Sequence, residues 1–205
     1  HYILSDEKYP IVFDYAGQDT ALVEIKVNNG NPIGNDLIYG EIHGLKKDED
    51  GNALGGALIG LFKADCTEFT RENAILTATS AEDGGFSFAD VPYGNWLVRE
   101  IKAPTGFVLS DETFAVTVDK DGAVIEVEIE NTRICGTVQL TKVDKDYPDN
   151  KLTGAEFTVY RDSNDNKELD ADDERLGTLT ETGIGVYEMS DLLYGGYFVK
   201  ETKAP

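Results

Sequence analysis

The sequence predicts an all-β fold of tandem antiparallel β-sandwich units, and three observations carry that expectation. Glycine is frequent at 21 residues, and Tyr (10) plus Phe (9) far outnumber Met (1), a balance that suits short strands and tight turns rather than helical bundles. Apolar and charged residues alternate with period two in the segment Ile-Glu-Val-Glu-Ile-Glu at 125–130, as a half-buried strand requires. Turn residues recur at Asp50-Gly51, Asp83-Gly84-Gly85, Tyr93-Gly94 and Asp121-Gly122. Strands punctuated about every 8–12 residues suggest a sandwich or a barrel. Thr113–Val118 adds a strand in which bulky and small residues alternate. The only helical feature expected is a single turn near 169–175.

Charge narrows the functional classes. The chain carries 39 Asp+Glu against 18 Lys+Arg, a net charge of −21. Such a chain has no general basic field for nucleic acid or an anionic membrane. A hydrophobic share of 40% is too high for a disordered acidic tail. No apolar run reaches the roughly 18 residues of a membrane span. No signal peptide precedes the first strand-like segment, so His1 is read as the start of a mature or excised piece. Two cysteines, Cys66 and Cys135, are too few for a disulfide scaffold, and two free, mostly buried thiols are expected rather than a bridge.

An internal repeat organises the chain. Gly-Glu-Ile-His-Gly-Leu-Lys-Lys-Asp (40–48) matches Gly-Thr-Val-Gln-Leu-Thr-Lys-Val-Asp (136–144). Residues 54–62 match 152–160, and Tyr93–Pro104 matches Tyr194–Pro205. The offset grows from 96 through 98 to 101, so the second copy carries small loop insertions. At the N-terminus, 2–9 resembles 107–114, and 23–29 resembles 125–131. The reading is therefore an incomplete repeat at 1–36, a whole one at 37–133 and the first two-thirds of another at 134–205.

Alternation then places three polar residues on inward faces. Lys46 shares a face with Ile42 and Gly44, Glu100 with Trp96 and Val98, and Asn131 with Ile125, Val127 and Ile129. Lys142 and Glu201 hold the first two places in the next repeat, and Asn29 holds the third in the preceding one. A one-residue slip would exchange Lys46 for Lys47. Burying an unpaired ammonium or carboxylate costs several kcal/mol, so such groups tend to neutralise. Burial lowers the pKa of an amine and raises that of a carboxyl. A neutral amine is a nucleophile, and a neighbouring carboxyl can polarise a carboxamide. Attack of a lysine amine on an asparagine carbonyl, with loss of ammonia, leaves an amide crosslink and needs no cofactor.

The segments Leu-x-Gly-Ala-x-Phe (152–157), the Asp-x-Gly-x-Phe-like turn at 83–86, and above all Trp-Leu-Val-Arg-Glu-Ile-Lys-Ala-Pro-Thr-Gly-Phe (96–107) and Tyr-Phe-Val-Lys-Glu-Thr-Lys-Ala-Pro (197–205) resemble the Cna B-type, SpaA-like pilin domains of Gram-positive surface adhesins and pili. The second pair resembles the pilin E-box, with Trp96 and Phe107 in place of its terminal tyrosines and Ile101 in place of Thr. The resemblance covers essentially the whole chain. It implies a transthyretin-like (prealbumin-like) or inverse immunoglobulin sandwich and a self-formed isopeptide bond. By position it implies Lys46 as amine donor, Asn131 as acyl donor and Glu100 as catalytic carboxyl, with Lys142 and Glu201 the counterparts in the last repeat. It further implies a structural stalk or pilin segment on the cell wall outside a Gram-positive cell, partnered by neighbouring repeats. Complementary end fragments suggest head-to-tail self-association that pairs Lys142 with Asn29.

Three further readings accompany this one. In 162–173, Asp162, Asn164, Asn166, Glu168, Asp170 and Asp173 have an EF-hand-like spacing that suits calcium, although Lys167 replaces the turn glycine and Asp173 the final Glu. A ligand-binding module for matrix protein or glycan would use the Tyr-rich stretch 185–197, and an accessory module of a larger secreted enzyme is the other alternative. No turnover site is expected. His1 and His43 fall in different repeats, the serines lack a nucleophile elbow, and the glycines sit in hairpin turns rather than a phosphate loop.

Overall fold

The computed structural model describes residues 1–12 and 26–205, and among these the first strand begins at Tyr39. Seven strands form the first unit: β1 (Tyr39–Asp48), β2 (Leu58–Lys63), β3 (Leu76–Thr79), β4 (Gly85–Pro92), β5 (Gly94–Lys102), β6 (Thr113–Val118) and β7 (Ala123–Asn131). They build two facing sheets, ordered β4-β1-β7 and β3-β2-β5-β6. Six strands form the second unit: β8 (Cys135–Thr141), β9 (Glu156–Arg161), β10 (Glu174–Thr178), β11 (Thr180–Gly183), β12 (Val186–Leu193) and β13 (Tyr197–Lys203), in sheets β11-β12-β8 and β10-β9-β13. The helical turn expected near 169–175 is a short non-helical turn leading into β10.

One pairing departs from the antiparallel expectation. β1 and β7 run parallel, from Gly40 opposite Ala123 to Asp48 opposite Asn131. Parallel neighbours need a long crossover, and here β2 to β6 supply it, four of them in the opposite sheet and β4 on the far side of β1. Alternation along one strand fixes its faces but says nothing of its neighbour's direction. The consequence for the site is that Lys46 and Asn131 both lie near the C-terminal ends of adjacent strands.

Period-two burial closes the first core. Ile42, Ile59, Leu61, Phe88, Val91, Val98, Val118 and Ile129 are buried between the sheets. Each large aliphatic or aromatic side chain removed from water in this way contributes about 1.5–3 kcal/mol. Gly44 leaves a gap in this face of β1, and the Phe86 ring of β4 fills it. A Cβ at position 44 would fall well inside van der Waals contact with that ring. Phe86 thus supplies the packing beside Lys46 that Leu140 supplies in the sister strand. The second core, around Phe157, Val159 and Tyr187, is smaller. Among the described residues β8 has no parallel partner and β13 no outer neighbour, so Val138 and Leu140 stay half-exposed.

Gly44→Ala should therefore overpack the first core and cost about 1–3 kcal/mol. A lower urea midpoint with an unchanged slope is the expected result. An unchanged midpoint would mean that Phe86 yields without penalty.

Candidate crosslink site

Three strands bring the inward polar residues together. Lys46 is held on β1 by two backbone bonds: its N–H donates to Gly84 O at 2.8 Å, and its carbonyl accepts from Leu54 N at 2.9 Å. Glu100 enters from β5, which faces β1 across the core, and Asn131 ends β7. Lys46 is 0% exposed, Glu100 1% and Asn131 2%. Lys47, the residue a register slip would substitute, points outward and pairs with Glu128 at 2.7 Å.

The Glu100 carboxyl spans the other two side chains. Its Oε1 lies 3.6 Å from Lys46 Nζ. Its Oε2 accepts from Asn131 Nδ2 at 2.7 Å and from the Ser110 backbone N–H at 2.8 Å. Lys46 Nζ also donates to Ile129 O at 3.0 Å, and Asn131 Nδ2 to Val108 O at 2.6 Å. The carboxamide is thereby clamped between β5 and the loop that follows it. Glu100 Oε1 and Asn131 Oδ1 have no hydrogen-bond partner among the described residues. A buried orphan acceptor costs about 1–3 kcal/mol, which packing alone would not select. Burial pushes the Lys46 amine below its ordinary pKa, and the nearby Glu100 charge only partly opposes this.

A charged clamp that the sequence reading missed lies just beyond the trio. Arg133 binds the Asp48 carboxylate through Nη2, and through Nη1 it reaches Glu49 Oε1 at 3.2 Å and Asp50 Oδ2 at 2.6 Å. It ties the exit of β7 to the exit of β1. The signal for it was available, since Asp48 shares the inward parity of Lys46. Burial raises the Asp48 pKa, but bonds from Asn52, from the Asn52 and Asp50 amides and from Arg133 outweigh it and hold the carboxyl below its ordinary value.

The flanking fragments place their counterpart residues in different surroundings. In the second unit Lys142 Nζ meets Glu201 Oε2 at 3.0 Å, but both side chains are partly open to water beside a cleft lined by Leu152 and Pro205. Asn29 does not end a strand. It is exposed in the 3-10 turn Val27–Gly30, with a left-handed φ of 53°. The alternation read across 23–29 fails at that turn, and residues 13–25 lie outside the described residues. The counterpart of Asn131 in hydrogen bonding is Asn35, whose Nδ2 donates to Ile3 O at 2.7 Å.

In the calcium set the side-chain oxygens cap the loop's own amides. Asp162 accepts from Lys167 N, Asn164 from Asn166 N, Asn166 from Glu168 N, Asp170 from Asp172 N, and Asp173 from Ser163 and Asp170. The Glu168 side chain is exposed. Among the described residues no group of three or more His, Cys, Asp or Glu side chains could hold a metal ion. Cys66 is half-buried, Cys135 is exposed rather than buried, and the two are unbonded.

Residues 40–133 and 136–205 each match the family model described as SpaA: Prealbumin-like fold domain. The chain belongs to that family. Among solved structures, the Bacillus anthracis TIE protein aligns with a TM-score of 0.69 at 27% identity, over 83% of this chain and 30% of that one. This chain thus spans less than a third of that protein's length. A Streptococcal ancillary pilin (TM-score 0.44, 21% identity, 82% of this chain and 54% of that one) and the shaft pilin spaA of Lactobacillus rhamnosus GG (0.41, 14%, 82% and 88%) resemble it in fold alone. No curated protein matches the chain. Among the described residues of these SpaA-type units, no helix is long and apolar enough to cross a membrane.

The depressed Asp48 carboxyl gives a pH test of the clamp. A depressed acid stabilises the fold above its unfolded value of about 3.9 and loses that contribution as pH falls through the folded value. Asp48→Asn should melt below the wild type at neutral pH, and the gap should close under acid. A gap that stays constant from neutral pH down to acid would refute the clamp's ionic character.

Proposed function

We propose that this chain is a segment of an extracellular surface stalk or pilus shaft, and that its first SpaA-type unit locks itself with an amide between Lys46 and Asn131. One observation carries the reading: a single buried carboxyl, Glu100, presents one oxygen to the amine and the other to the carboxamide nitrogen. The family and the pilin likenesses supply the setting.

The chemistry follows from that arrangement. Lys46 gives a proton to Glu100 inside the dry pocket, where burial pushes the amine toward its uncharged form. The uncharged Nζ attacks Asn131 Cγ, forming the new C–N bond. Glu100 Oε2, already hydrogen-bonded to Nδ2, delivers a proton to that nitrogen. The Cγ–Nδ2 bond breaks as the attacking nitrogen releases its second proton through Glu100. The products are an amide, ammonium and the regenerated Glu100 carboxylate. The reaction consumes its own side chains and so runs once.

The bond would join the first and last strands of the unit. Force entering along β1 would cross from Lys46 to Asn131 and leave through Thr132, bypassing residues 47–130. By the chain-entropy estimate for a crosslink closing a loop of this size, the unfolded state is restricted by about 4–5 kcal/mol.

Intact mass is the test. The wild type should be lighter by one ammonia, whereas Lys46→Ala, Glu100→Gln and Asn131→Ala should keep their full mass and Lys47→Ala should still lose ammonia. Freshly refolded chain should stop reacting as pH rises through the lowered Lys46 pKa, below the ordinary lysine value, because the proton that Glu100 passes to the leaving nitrogen is then lost. A wild type at full mass, or a Glu100→Gln variant that reacts like it, would overturn the proposal.

A further inference from the structure

The junction ahead of the first unit and the junction between the two units are the same structure, bond for bond. Ile38 N donates to His1 O at 3.2 Å, and Ile134 N to Gly106 O at 2.8 Å. Ile3 N donates to Asp36 O at 2.8 Å, and Val108 N to Thr132 O at 2.9 Å. Tyr93 N donates to Ile38 O at 3.0 Å, and Tyr194 N to Ile134 O at 2.9 Å. Isolated bridges pair Tyr2 with Leu37 and Phe107 with Arg133. The Asn35 bond to Ile3 O repeats the Asn131 bond to Val108 O. Even the packing corresponds, with Tyr93 beside His1 and Tyr194 beside Gly106.

Three segments build each junction. A loop contributes an aromatic, an aliphatic and then Leu-Ser-Asp, at 2–6 and 107–111. A linker contributes Asn-x-x-Ile-x-Gly, at 35–40 and 131–136. A turn of the following unit contributes Tyr-Gly, at 93–94 and 194–195. The linker is not a free tether, because its isoleucine binds the loop on one side through N–H and the next unit on the other through C=O. A flexible connection would leave these backbone groups to water. Two junctions with one sequence motif and one hydrogen-bond pattern point to a docking mode that the repeat unit itself encodes.

We propose that Ile38 with Tyr93, and Ile134 with Tyr194, are two copies of one docking surface. Its partner is the loop after the glutamate strand of a preceding like unit. Successive units then stack in one fixed orientation, each passing that orientation to the next. The proposal does not depend on the Lys46–Asn131 bond, because it is read from orientation rather than from mass.

Residual dipolar couplings on the whole chain test it. Couplings from β1–β7 and β8–β13 should fit one alignment tensor, and the Ile38, Tyr93, Ile134 and Tyr194 amides should exchange slowly. Two glycines inserted between Ile134 and Cys135 leave the loop contacts in place but move the next unit out of reach. That variant should need two tensors while strand chemical shifts within each unit persist. Tyr194→Ala, which removes only the packing on Gly106, should lie between. Two independent tensors in the wild type, or a single shared tensor after the insertion, would overturn the proposal. So would protection that appears only with rising concentration, which would assign the surface to contacts between copies.

Discussion

Everything distinctive about the first unit depends on a lysine and a glutamate that have no access to water. On a surface the pair would be worth little and would react with nothing. Between two sheets, burial pushes the amine toward its uncharged, nucleophilic form, and the proposed crosslink relies on that. The rest of the unit serves to keep that pocket dry and aligned. Phe86 closes the gap over Gly44, the parallel register brings the ends of β1 and β7 side by side, and Val108 O with Ser110 N fixes the carboxamide and carboxyl.

The second unit shows the same residue types without the same surroundings. Lys142 and Glu201 are as close to each other as an ordinary ion pair, but water reaches both. No strand lies parallel to β8 among the described residues, so the Lys142 side of the core is open. The comparison separates the sequence pattern from the buried environment that the proposed crosslink needs. It also shows how one loop serves two purposes in the first unit. Residues 106–110 hold Asn131 and Glu100 on one side and the linker to the next unit on the other.

Much of the site could be read from alternation, because parity decides which side chains face inward. It identified Lys46 over Lys47, together with Glu100 and Asn131. What parity could not supply is any fact about which strands are neighbours. The parallel β1–β7 pair, the Phe86 ring over Gly44 and the Arg133 clamp are all long-range. Asn29 illustrates the opposite failure. A seven-residue likeness to 125–131 suggested a strand, yet the described part turns at Asn28 and Asn29, and Asn35 makes the equivalent hydrogen bond. The acidic loop shows a related limit of spacing. A spacing of oxygen ligands does not show whether they point at an ion or at their own backbone, and here they cap amides.

A direct search for the proposed bond is the decisive observation. Denatured chain, digested and analysed by tandem mass spectrometry, should yield one branched peptide in which the β1 segment bearing Lys46 is joined through its side chain to the β7 segment bearing Asn131. Recovery of both segments only as separate linear peptides, with the carboxamide of Asn131 intact, would contradict the account.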